Sequence, residues 1–259
     1  MQKNHQGQIG LILLLVMGVV IAVALSLASR SLSDTVLSRQ ELESSTAFRL
    51  AESGVEAAMN QLRQDPSQTV AGNGSAGIYT SDYAVQKLNS YGLYVKEGEN
   101  AYLDLTGFNA NNNLSITWSK KNDNSENLTC QGEGSGNAPA AVEVMSHQAG
   151  SDTVKFSYHN AFGCDITANG FAGSSGGGSD YVSTVSYDVP NGTTSLRIRP
   201  LYAPATITVT GSGLTTQLYL IQAQAEGGDA KKEIEVKRGL DAPPSIFDFA
   251  LFSGSTIVK

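Results

Sequence analysis

The side chains most capable of chemistry fall in the middle third of this 259-residue sequence. Cys130 and Cys164 are its two cysteines, and His147 and His159 lie between them. Two thiolates and two imidazoles are the donor set of a zinc site, but such sites draw their ligands in close pairs such as C-x2-4-C. The four residues contain no such pair, so they imply no metal, and the histidines read as surface residues. The cysteines read as one disulfide of an exported, oxidising compartment; two buried, reduced thiols are the alternative. Residues 122–126 (NDNSE) offer oxygen ligands for calcium. They lack the glycine and the distant Glu of an EF-hand loop and read as a solvated turn. Residues 173–179 (GSSGGGS) lack the Gly-Lys-Ser/Thr ending of a phosphate loop and read as a flexible loop. Asn73, Asn113, Asn127 and Asn191 each open an Asn-x-Ser/Thr triplet. Such triplets match glycosylation acceptors but arise easily in turns rich in Gly and Asn. With no Gly-x-Ser-x-Gly elbow and no Ser/His/Asp constellation, the chain reads as a non-enzyme without a cofactor.

The scaffold that carries these residues reads as turn-rich and β-structured. Glycine is abundant, at 27 residues, and the net charge is -7. An acidic balance argues against a nucleic-acid partner, because phosphates bind basic faces. Runs of alternating polarity occur at 114–118, 154–158, 196–198, 207–209 and 234–236. Alternation places one face inward and one in water. Turn signals separate the runs at 122–127, 190–192, 211–213 and 227–229. Residues 72–77, rich in Gly, Ala, Ser and Asn, read as a linker or loop. The pattern predicts a β-sandwich, or two small lobes, over 66–259. A core of about 150–190 residues buries about 70% of its unfolded surface and needs no staple to fold.

The N-terminus is of another kind. Residues 9–27 (IGLILLLVMGVVIAVALSL) carry no charge, and about 20 apolar residues cross a bilayer as a helix. Lys3 and the amino terminus precede this span, and the first acidic residue is Asp34. The excess of positive charge places the N-terminus in the cytoplasm and the residues beyond the span outside. A cleaved secretory signal is the alternative, with the small residues of 24–29 as its cleavage site. Its apolar region usually covers only about 7–15 residues. Beyond the span, Leu32, Val36, Ala47, Ala51, Val55, Ala58 and Leu62 recur at helical spacing, with charged residues between them. Asp65-Pro66 ends the pattern. This spacing predicts one helix over 8–64, roughly 85 Å long. The predicted fold is therefore α+β: a leader at 1–7, a helix at 8–65 combining span and amphipathic stalk, and an exported, mostly β domain at 66–259. Ile9, Gly10, Gly18, Ala22 and Leu27 mark the membrane and assembly helix, in which small residues let neighbouring helices approach closely.

A short basic leader ending in Gly7, an apolar span and an unbroken amphipathic helix leading to a β-domain together resemble type IV pilins and pseudopilins. Residues 46–58 (TAFRLAESGVEAA) resemble the A-F-x-L-A-E-x-G-x-E-A signature of PilX-like minor pilins, and residues 246–253 (IFDFALFS) resemble segments of that group. The resemblance implies cleavage by a prepilin peptidase between Gly7 and Gln8. It also implies packing of the apolar helix into a filament core. The implied partners are other pilin subunits, the assembly machinery and membrane lipid. Most pilins have Phe first and Glu fifth in the mature chain; here Gln8 and Ile12 stand there. An unpaired carboxylate in a bilayer is costly, so its absence has a physical consequence, and it points to a minor or tip subunit. A membrane-anchored surface adhesin that does not polymerise, with an unidentified ligand, is the other reading. The intact mass of the native protein is expected to place the mature N-terminus at Gln8; a chain starting at Met1 defeats the processing expectation, and one starting near Ser29 defeats the anchor.

Overall fold

The computed structural model describes residues 6–109, 112–123, 126–130, 138–148, 154–164 and 169–242, with side chains from Leu13 onward. One long helix, α1 (Gln6–Gln64), comes first. After it come the strands β1 (Ala71–Ala76), β2 (Tyr79–Leu88), β3 (Tyr91–Val95), β4 (Ala101–Asp104), β5 (Asn113–Lys120), β6 (Ala141–Gln148) and β7 (Val154–His159). Next are β8 (Ser175–Gly176), β9 (Tyr181–Asp188), β10 (Thr193–Leu201), β11 (Ala205–Thr210), β12 (Leu218–Gly227) and β13 (Ala230–Gly239). The α+β arrangement expected from the sequence is present. All five alternating runs fall in strands, in β5, β7, β10, β11 and β13 respectively. The chain divides into two compact units: unit 1 spans Met1–Ala84 and Gln222–Glu235, unit 2 spans Val85–Ile221 and Val236–Lys259.

In unit 1, the second half of α1 has one buried face made of Glu43, Ala47, Ala51, Val55, Ala58 and Leu62. Steps of three and four residues keep these on one side of a helix. Small side chains predominate, which lets the helix axis lie close to its neighbours. A Cβ placed at Gly54 would meet Cβ of Ala223 at 3.3 Å. Gln61 Nε2 donates to the Tyr83 hydroxyl at 2.8 Å. The helix ends where Pro66 cannot continue it, and the Asp65 carboxylate accepts the Ser67 N–H at 2.9 Å. The strands of this region form a sheet in the order β1-β2-β12-β13. Residues 72–77, expected to be a loop, are instead mostly strand β1, paired antiparallel with β2 from Ala71↔Ala84 to Ala76↔Tyr79. The small residues are what the pairing requires, because any Cβ at Gly72 collides with the Tyr83 ring. β13 lies at the sheet's edge and carries Lys231, Lys232, Lys237 and Arg238. Lysine on an edge strand discourages pairing with another chain.

Unit 2 holds a sandwich of two antiparallel sheets, ordered β4-β10-β6-β7 and β3-β11-β5-β9-β8. Leu103, Val142, Val144, Leu196 and Ile198 from the first sheet share one core with Leu114, Ile116, Trp118, Ile207 and Val209 from the second. The Trp118 indole N–H, fully buried, donates to the Ala140 carbonyl at 2.8 Å. Gln217, also fully buried, acts as a polar clamp. Its Oε1 accepts the Asp104 N–H at 3.0 Å, its Nε2 donates to the Asp104 carbonyl at 2.8 Å, and its own N–H donates to the Leu88 carbonyl at 2.7 Å. Residues 173–179, expected as a flexible loop, contain β8, which pairs with β9 through Ser175↔Thr184 and Gly176↔Ser183. The Gln217→Leu variant leaves the backbone N–H and C=O of Asp104 without their partner. It is expected to lose about 2–4 kcal/mol of stability, read by urea unfolding on Trp118 fluorescence, whereas Ser186→Ala should change little.

Candidate functional site

Every described α1 side chain from Leu13 to Leu42 is exposed. Leu14 is 72% exposed, Leu25 66% and Leu32 68%, values otherwise typical of lysine. From Leu13 to Leu25 the helix is uncharged and apolar, with Gly18 its one glycine. The helix from Leu13 includes a stretch long and apolar enough to cross a membrane, none of it buried, consistent with single-pass anchoring. A Cβ placed at Gly18 meets nothing within 4 Å, and Ala22 and Leu27 are equally bare. Gly7, Gln8, Ile9 and Gly10 lie in the helical backbone, and their side chains fall outside the described residues, as does the 246–253 segment.

Past the span the apolar surface continues. Leu25, Ala28, Leu32, Val36 and Leu37 line a shallow groove along one side of α1. Two hydroxyls of this segment bond back onto the helix itself. The Ser33 hydroxyl donates to the Ser29 carbonyl at 3.1 Å and the Thr35 hydroxyl to the Ser31 carbonyl at 2.8 Å. Such bonds satisfy these two hydroxyls within their own helix.

The exposed arm ends at Glu43. This carboxylate is 6% exposed. One oxygen accepts from Arg39 Nε at 2.7 Å and the other from the Asp229 N–H at 3.2 Å. The Arg39 guanidinium, and after it the Asp229 N–H, hold the Glu43 carboxyl below the ordinary glutamate range.

Unit 2 carries the other sequence-predicted residues. Cys130 and Cys164 are joined in a disulfide with Cα atoms 5.6 Å apart. His147 and His159 are not open surface residues; both are half-buried, and burial lowers their pKa. His147 is the cross-strand neighbour of Ser195 and His159 that of Val142, so the two imidazoles are not brought together. No group of three or more His, Cys, Asp or Glu among the described residues could hold a metal ion. Glu126 departs from the solvated turn expected at 122–126. It is buried, and its two oxygens accept the backbone N–H groups of Lys120 and Thr206 at 2.8 and 2.9 Å.

Register also sets three residues abreast that the sequence pattern does not single out. Tyr158, Glu143 and Arg199 are direct neighbours across β7, β6 and β10. Arg199 pairs with the buried Glu143 carboxylate, to which the Tyr158 hydroxyl donates at 3.2 Å. Burial, then the Glu143 charge, raises the Tyr158 pKa. The Tyr158 ring stacks on Phe171 at 4.9 Å, and Phe171 faces Tyr202 at 6.2 Å. The Tyr202 backbone sits at φ 71°, a left-handed conformation uncommon for a bulky side chain. Glu143 lies in a strand buried on both faces from Ala141 to Ser146, where an acid needs a partner.

The arrangement offers a long apolar helix face and, separately, a surface of stacked aromatic rings beside a buried ion pair. No family model, no curated protein and no solved structure matches the chain. Removing the bridge by Cys130→Ser with Cys164→Ser is expected to lower the stability of unit 2 by about 3–4 kcal/mol in the chain-entropy account, measured by denaturant unfolding of the two forms side by side. Equal midpoints for the two forms would contradict it.

Proposed function

We propose that this chain is a minor, or tip, subunit of a type IV pilus or related filament. The observation that carries the reading is the arm of α1 itself: an exposed apolar surface from Leu13 to Leu27, followed by exposed Leu32, Val36, Leu37 and Leu42 among charged and polar residues, and continuous with a half whose face is buried. Apolar surface of this extent has to be covered by lipid or by protein. Lipid covers the span while the subunit waits in the cytoplasmic membrane. The additional apolar side chains at Leu32, Val36, Leu37 and Leu42 lie beyond a single bilayer crossing and suit contact with the helices of other pilin subunits. On this reading a prepilin peptidase removes the leader at Gly7-Gln8, the assembly machinery extracts the helix, and the β-structured part is displayed at the cell surface. The chain acts by packing and display, without catalysis or a cofactor.

A second reading, an anchored adhesin that never polymerises, draws on one observation of its own. Tyr158 and Tyr202 expose more than a third of their surface beside Phe171, at 36% and 42%.

Gly18 and Ala22 separate packing from simple anchoring. Replacing both with Leu keeps the helix insertable, since leucine is among the residues that insert most readily. Under the filament reading, the variant should fall several-fold in sheared filaments while the membrane pool persists, because bulk at small positions keeps helices apart. Quantitative immunoblotting of both fractions reads this. Unchanged recovery in filaments counts against this helix face, and absence of the unmodified protein from filaments favours the anchored adhesin.

A further inference from the structure

We propose that Glu43 is an acid-sensitive latch that fixes the direction in which the exposed arm of α1 leaves the sheet of unit 1. Glu43 is the first described side chain of α1 to be buried, so it sits where the free helix becomes a docked one. What it docks against is the turn between β12 and β13. That turn comes close for a specific reason. Gly228 has φ +60°, and a Cβ there would lie 2.6 Å from the Glu43 carboxylate. Only glycine combines the left-handed backbone with that approach.

The groups facing the carboxylate come from three elements. From α1 itself there is Arg39, with Gln40 and Ser44 lining the same hollow. From the turn and β13 there are Asp229, Lys231 and Lys232. From β2 there is Tyr79, which packs on Gly227 and acts on Arg39. Charged, Glu43 accepts from both Arg39 and the Asp229 N–H. Protonated, it loses its attraction to Arg39 and presents an O–H where a carboxylate oxygen had accepted. The turn then parts from the helix, and the arm swings about residues 42–46. The Thr46 hydroxyl already bonds the Leu42 carbonyl at 2.8 Å there, a bond type that bends helices. The sign is set by the lowered carboxyl pKa. The latch contributes fully above the unfolded glutamate value and is lost as pH falls through the folded one. It operates whether the arm is surrounded by lipid or by other helices, so it stands apart from the filament reading.

The test uses the full chain in detergent micelles, spin-labelled through Ser38→Cys and Asp82→Cys, both exposed sites within unit 1. Double electron–electron resonance should give a narrow distance distribution at neutral pH that broadens in acid. Glu43→Gln should be broad at every pH. In parallel, amide exchange in residues 226–232, corrected for its intrinsic pH dependence, should be about tenfold faster in Glu43→Gln at neutral pH. The wild type should converge on the variant in acid while amides of β5 and β10 keep their protection. A Glu43→Gln variant that matches the wild type at neutral pH overturns the proposal, because charge is then not what holds the turn. So does a wild type whose turn amides and distances show no acid step, or one in which β5 and β10 open in the same step.

Discussion

The constraint on which the rest of this structure depends is that the side chains of α1 from Leu13 to Leu42 have no covering partner among the described residues. A helix satisfies its backbone internally, so it can exist alone in an apolar setting. Its side chains are another matter: burying a leucine or valine is worth about 1.5–3 kcal/mol, and from Leu13 to Leu42 that gain is not taken within the fold. Among the described residues that apolar surface is left uncovered. The distribution of small residues agrees with this. In the docked half, Ala47, Ala51 and Ala58 are buried against the protein's own elements. In the exposed half, Gly18 and Ala22 keep the same slim profile with nothing beside them.

Much of this architecture could be read in the chain. The helix is bounded by a change of pattern and by Asp65-Pro66, because proline blocks helix continuation whatever the tertiary context. Four sandwich strands, β5, β7, β10 and β11, are visible as alternation, and β5, β10 and β11 each have one face on a common core, as with Leu114, Ile116 and Trp118 in β5. β1 escapes such a reading because its glycines weaken strand propensity, and what makes it a strand is a close fit to Tyr83 that no local pattern encodes. The groups that couple distant segments are equally hidden. Glu126 has the sequence setting of a turn residue, yet it anchors the backbone of Lys120 and of Thr206, eighty positions away. Glu43 looks in the sequence like one more charge on an amphipathic helix. Its partner is a turn far along the chain, and only the three-dimensional path brings the two together.

The polar groups inside the β-structured part share a character. Gln217, Glu126 and Glu143 are all buried, and each has its oxygens engaged, by backbone amides in the first two cases and by Arg199 and Tyr158 in the third. Buried polar groups are tolerated when fully bonded, and they then specify which strands adjoin in a way that apolar contacts, being non-directional, do not. The Cys130–Cys164 bridge adds a covalent tie. Unit 2 thus joins a generic apolar core to a small number of directional contacts that fix its loops.

Unit 1 is made of residues that lie on both sides of unit 2 in the sequence. β1 and β2 precede the sandwich; β12 and β13 come after it. A ribosome adding about 5–20 residues per second delivers the closing strands on the order of ten seconds after the opening ones. Throughout that interval Ala223 and Ala225, buried in the finished fold, do not yet exist. The sandwich has its own core and is built only from β3–β11, all made before β12, so it can mature first. The stalk end of α1 is then the last part of the molecule to find its place, and time, as well as sequence, separates the helix from the sheet that receives it.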